Sequence, residues 1–138
     1  MNPLSFLSRL LRRPDRPIVP PGSAGDAESV AWTRSQELVQ VLDELVVLLE
    51  ADGEAHWSAW MRGARERIAA NDLGGVHKVL GAYGGMGSFN DLIIGQSMTE
   101  GRLILADDVD ALNTKLGGLR SAAYDLAQDV KVRVTAGA

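Results

Sequence analysis

The stretch VDALNTKLGGLRSAAYDLAQDV, residues 109–130, decides the fold. Val109, Leu112, Leu116, Leu119, Ala123, Leu126 and Val130 recur at alternating steps of three and four, which in a helix places all seven on one stripe. Asp107, Asp108 and Asp110 gather at the start of this pattern and Lys131 and Arg133 near its finish, the charge order a helix dipole favours. Gly117 and Gly118 fall mid-helix, each costing about 1 kcal/mol against alanine, and mark an expected kink or close helix crossing. Such a seam lines either an intramolecular core or the contact between copies, and self-association as a homo-oligomer is expected from it.

Upstream, the same spacing repeats. Leu38, Val41, Leu42, Leu45, Leu48 and Leu49 give residues 28–51 a wide apolar stripe, with Asp26 near its start and Asp52 and Gly53 as its stop. A second helix fits residues 54–72, with Trp57, Trp60 or Met61, Ala64 and Ile68 on one face and Arg62, Arg65, Glu66 and Arg67 mostly on another. A third, over residues 73–83, offers Leu73, Val76, Leu80 and Tyr83, and is short enough that packing must hold it. The expected fold class is therefore mostly α: a compact bundle of about four helices.

Between the third and last helices runs YGGMGSFNDLIIG, residues 83–95. Gly84 and Gly85 can end the third helix through backbone angles closed to other residues, and Gly87 can turn the chain before Ser88 caps the next element. Met86 and Phe89 are expected to turn inward, with Asn90 and Asp91 holding loop amides. Ser88 with Asp91 three positions later matches a capping box, so helix continuation from Ser88, ending in a loop, is preferred. The alternative is a short β-hairpin within residues 92–105, built from the β-branched runs on either side of QSMTEG.

The loop also supports a functional reading, in which exposed amides of residues 84–88 face an anion or the backbone of a partner. The run lacks the Lys-Ser/Thr pair of a phosphate loop, has Asn90 where a dinucleotide loop needs glycine, and carries Asp91, which repels phosphate. A protein contact survives these objections better. Candidate binding residues are accordingly Gly84, Gly85, Met86, Gly87, Ser88, Asn90 and Asp91, with Trp57 from the preceding helix.

Other chemistry is thinly supported. His56 and His77, the two histidines, lie in no metal-ligand spacing, and Asp107, Asp108 and Asp110 lack the glycine and distal Glu of a calcium loop, so no metal, cofactor or catalytic residue is assigned. The absence of cysteine excludes disulfides and thiol nucleophiles. Trp57 and Trp60 read as packing groups before they read as a stacking platform.

Length and composition suit one globular domain, and aromatics at 5% leave Leu, Val, Ile and Ala to fill the core. The net charge of −4 is unevenly spread: residues 1–27 carry Arg9, Arg12, Arg13 and Arg16 against Asp15 and Asp26, leaving the rest acidic. That balance argues against nucleic acid as a partner, since phosphate neutralisation dominates such binding. Residues 1–27 are expected to be a flexible, basic, Pro-rich arm ahead of a helical domain over 28–138. Residues 1–13 place Leu4, Phe6, Leu7, Leu10 and Leu11 among arginines, suited to weak contact with a membrane surface or to covering a groove on this or a neighbouring subunit.

The run Gly84-Gly85-Met86-Gly87-Ser88, the pair Asn90-Asp91 and Trp57 resemble a family of small uncharacterised bacterial proteins, across roughly residues 36–131. The resemblance implies a bacterial, cytoplasmic protein and assigns no activity. The expected role is a non-enzymatic protein-binding module, immunity-like in sequestering another protein. The alternative is a small-molecule-binding protein or enzyme using the loop of residues 84–91.

Overall fold

The computed structural model describes residues 16–20 and 25–136; the contacts expected of residues 1–13 lie outside them. Among the described residues four helices pack together: α1 (Asp26–Asp52), α2 (Ala55–Ala69), α3 (Gly74–Gly81) and α4 (Val109–Ala136). A two-stranded antiparallel hairpin, β1 (Gln96–Thr99) and β2 (Arg102–Leu105), stands between α3 and α4.

The two longest helices, α1 and α4, run antiparallel. Arg34 near the start of α1 pairs with Asp129 near the end of α4, while Asp52 at the end of α1 accepts a hydrogen bond from the Gly95 amide beside Val109. Leu38, Leu42, Leu45 and Leu49 of α1 and Leu116, Ala123, Ala127 and Val130 of α4 are all inaccessible to solvent. Each such leucine contributes about 1.5–3 kcal/mol by leaving water. Of the seam residues, Leu116, Ala123 and Val130 are fully buried inside the chain, and Leu112, Leu119 and Leu126 are partly buried.

Gly53 ends α1 in the left-handed conformation, φ 80°, and its amide bonds Glu50 O and Leu49 O. The chain reverses at once into α2, which the Arg62–Glu50 and Arg65–Asp43 ion pairs hold antiparallel to α1. Met61, Ala64 and Ile68 of α2 are buried as expected; Trp57 and Trp60 are only partly so. The expectation of a close crossing at Gly117 and Gly118 is corrected. α4 passes through both without a break, and a Cβ at either would meet open space. The close approach lies at Gly75 instead, where a Cβ would come within 2.7 Å of Ala64 O and of Ile68 Cγ1.

Within the stretch expected as a flexible arm, residues 16–20 lie on the α2–α3 connection. Ile18 is buried, its amide bonds Asn71 O, and the Leu73 amide bonds Arg16 O. Asn71, itself at φ 62°, both accepts from the Val19 amide and donates to the Val19 carbonyl through its side chain, at 2.9 and 2.7 Å. Its carboxamide takes the place of a strand neighbour.

Helix continuation from Ser88 does not occur. Phe89–Asp91 makes one 3-10 turn, Leu92 is extended, and the hairpin comes next. The cause lies in α4: Arg120 Nη1 donates to the carbonyls of Phe89 and Leu92, at 3.0 and 3.2 Å. Asn113 meanwhile accepts from the Ile94 amide and donates to the Ile94 carbonyl. Backbone groups that a helix would pair with one another are satisfied by side chains seven residues apart on α4. The hairpin turns at Glu100 and Gly101, both at positive φ (51° and 77°), the twist-matched geometry for a two-residue loop.

Candidate functional site

The glycine loop is built from α3 outward. α3 stops at Gly81, and the Phe89 amide reaches back to Ala82 O at 3.0 Å, pinching residues 83–88 into a closed bend. Gly84, Gly85 and Gly87 sit at φ 126°, 82° and 77°, yet a Cβ on any of them would meet nothing within 4 Å. Backbone conformation, and not packing, therefore demands glycine here. Asp91 accepts from the Gly87 amide at 2.8 Å, and Ser88 Oγ accepts from the Asn90 amide at 3.3 Å. The expected capping box does not form: Ser88 Oγ takes the Asn90 amide in place of Asp91's, and the Asp91 carboxylate closes on Gly87 in place of Ser88.

Two side chains depart from expectation. Phe89 is fully buried as foreseen, but Met86 points outward and is 100% exposed at the tip of the bend. The turn is too tight, and too rich in left-handed positions, to bring Met86 back over the core. Asn90 is exposed and lines a groove, leaving Asp91 and Ser88 to hold the loop amides. With a carboxylate already seated on Gly87, an anion at these amides would meet like charge.

Trp57 sits behind the loop. Its ring is 5.3 Å from Phe89, which in turn is 5.8 Å from Tyr83, and Tyr83 is 5.1 Å from Tyr124 on α4. Trp60 and His56 extend the row at the other end, at 5.7 and 4.6 Å from Trp57. Among the described residues, five of the six Trp, Tyr and Phe side chains thus form one string from α2 to α4. Trp60 is fixed at its end by a bond to Lys78 O and by the Lys78 ammonium 4.2 Å above its ring.

Beside the loop an open groove of about 560 Å³ runs between the end of α3 and α4, with Tyr83, Asn90, Ser121, Tyr124, Asp125 and Lys131 along it. The Tyr83 hydroxyl donates to Arg120 O at 2.7 Å. Burial pushes its pKa up from the ordinary 10.0, the Arg120 charge pulling part of the way back and Asp125 adding to the rise. Tyr83 therefore stays protonated in the folded chain where the unfolded chain would release the proton, so stability present below pH 10 is lost as pH climbs beyond it. In a Tyr124→Phe variant, phenolate absorbance should emerge only above pH 10, together with loss of the helical signal. Tyr83→Phe should remove that alkaline loss. Ordinary titration of Tyr83 in a fully folded chain would refute the burial argument.

Arg120, Tyr124 and Asn113 were not among the residues singled out from sequence. All three come from α4, more than 20 residues beyond the loop motif. The available signal was Asn113 and Arg120 themselves, polar residues seven apart on the flank of an apolar ladder. Among the described residues, no cluster of three His, Asp or Glu side chains is placed to hold a metal ion. Nor, among them, is any helix long and apolar enough to cross a membrane.

Residues 50–101 match the model of a domain of unknown function, DUF6966. The matched segment takes in α2, α3, the glycine loop and the hairpin as far as its turn, so it holds the loop but not α4, the groove's other wall. No curated protein and no solved structure matches the chain.

Proposed function

We propose that this chain is a non-enzymatic protein-binding module that contacts its partner through Met86 and the adjoining groove. Met86 carries the reading: a large apolar side chain is held entirely in water, on a bend whose following backbone is braced by Asp91 and Ser88. Methionine is adaptable and polarisable, suited to filling an irregular recess on another protein. The nearby polar groups are already engaged in folding: the Tyr83 hydroxyl on Arg120 O, Arg120 on two carbonyls, and Asp91 on Gly87. Sequestering a cytoplasmic protein in a bacterium, in the manner of an immunity protein, is the concrete form of this role. On this reading the glycine run with Asn90 and Asp91 is the feature shared across the family.

Met86→Glu tests it cleanly, because a fully exposed side chain supports no packing. Immobilised unmodified chain should retain a protein from bacterial lysate that the variant loses by about tenfold or more, a change of about 1.4 kcal/mol, with circular dichroism unchanged. Equal retention by both would sink the reading. A second role, small-molecule binding, is favoured by the groove itself, whose volume lies within the range of ligand sites and whose wall is the Tyr83–Tyr124 pair. A metabolite that raises Tm by several degrees, and fails to do so in Tyr124→Ala, would favour it.

A further inference from the structure

We propose that the hairpin's apolar face receives residues 1–13 of a second copy of this chain, linking copies head to tail. The pairing of Gln96 with Leu105 and of Met98 with Leu103 puts Met98, Leu103 and Leu105 on one face of the hairpin. These three are 66%, 58% and 54% exposed, and every residue of both strands is open to solvent. A lone two-stranded hairpin is marginal in water, and an uncovered apolar sheet face is a contact site.

Charge selects the occupant. Residues 96–110 hold Glu100, Asp107, Asp108 and Asp110 against Arg102, and among the described residues none of the four carboxylates is held in an ion pair. A second hairpin would bring the same sign to the contact. Residues 1–13 have the opposite character, with Leu4, Phe6, Leu7, Leu10 and Leu11 beside Arg9, Arg12 and Arg13, and no carboxylate. Apolar area and complementary charge then act together.

For the arm residues nearest Arg16, chain reach favours a contact between copies. Arg16 is anchored at the far end of α4, its Nη2 3.4 Å from Val134 O, whereas the hairpin base at Gly95 lies against Val109. At the rise of an α-helix, Val109 and Val134 are about 38 Å apart. The five steps from Leu11 to Arg16 span at most about 18 Å. Leu10 and Leu11 therefore fall short of the base of their own hairpin. A contact between unlike surfaces repeats from copy to copy, giving a ring or an open chain of molecules.

Sedimentation of the full chain tests this. The unmodified chain should associate with rising concentration, and its association should weaken about tenfold between about 50 mM and about 500 mM salt. Leu7→Glu with Leu10→Glu, in the arm, and Leu103→Glu, in the hairpin, should each give monomers. Mixed, these two variants should form a one-to-one pair, since one keeps a sound hairpin and the other a sound arm. Should Leu103→Glu fail to fold by circular dichroism, Met98→Ser replaces it. A monomeric unmodified chain overturns the proposal, as does continued association of the arm variant, which would indicate hairpin-to-hairpin contact. So does a mixture that stays monomeric. Arm-dependent binding of phosphatidylserine vesicles by an otherwise monomeric chain would make lipid the occupant and overturn it equally.

Discussion

Phe89→Ala should cost about 3–5 kcal/mol of folding stability, the range for removing a fully buried aromatic side chain. Phe89 is inaccessible to solvent, and its ring joins Trp57 to Tyr83 while the Arg120 guanidinium lies 6.0 Å from its centroid. Losing it opens a cavity under the glycine loop and breaks the aromatic string in the middle. Against a total stability of about 5–15 kcal/mol for a domain, this is the largest loss expected from any single side chain near the candidate site. Urea unfolding should show a much lower midpoint with little change in slope, since the same surface is exposed. A loss below about 1 kcal/mol would mean that the loop is not seated as described. Met86→Glu, three residues away, should leave stability untouched, which separates the loop's anchor from its exposed tip.

Gly75→Ala is the second large effect, and its sign decides between local and tertiary preference. As a helical position, Gly75 should gain about 1 kcal/mol from alanine. The added methyl, however, would stand 2.7 Å from Ala64 O and 2.8 Å from Ile68 N, both backbone atoms of α2 that no side-chain rotation can move. Overpacking of this kind costs about 1–3 kcal/mol and can exceed that when the obstacle is backbone. A net loss of about 2 kcal/mol is expected, measured by chemical denaturation. Gly118→Ala in α4 should go the other way, gaining up to about 1 kcal/mol, because its Cβ would meet open space. If both substitutions stabilise, α2 and α3 do not cross at Gly75 as closely as described.

These two glycines show where sequence reading stops. Gly117 and Gly118 draw attention as an adjacent pair inside a strong ladder, but nothing in that ladder says which neighbour passes them. The glycine that matters for packing, Gly75, sits in an eight-residue helix, and its role depends on Ala64 and Ile68 of another helix. The hairpin was similarly ambiguous. Residues 92–105 have both β-branched runs and a capping signal before them, and the balance was tipped by Arg120 and Asn113, 19 to 31 residues away along the chain.

The candidate loop divides along the same line. The positive φ of Gly84, Gly85 and Gly87, and the bonds from Ser88 and Asp91, are contacts within a few residues, so their glycine and cap chemistry could be read directly. The direction of Met86 and the presence of the Tyr83–Tyr124 groove could not, since both depend on how the bend stands against α4.

The sequence alone determined that long helices form, that their leucine stripes seek one another, and that glycines break the chain at residues 53 and 84–87. Periodicity and backbone freedom are local properties, written in neighbouring residues. The tertiary structure alone decided which faces are used up and which remain. It buried Leu116, Ala123 and Val130 of the α4 seam inside the chain, bent residues 89–95 to the reach of Arg120 and Asn113, and left Met86 and the hairpin's apolar face in water. Burial is a property of pairs of surfaces, and no single stretch of chain specifies its partner.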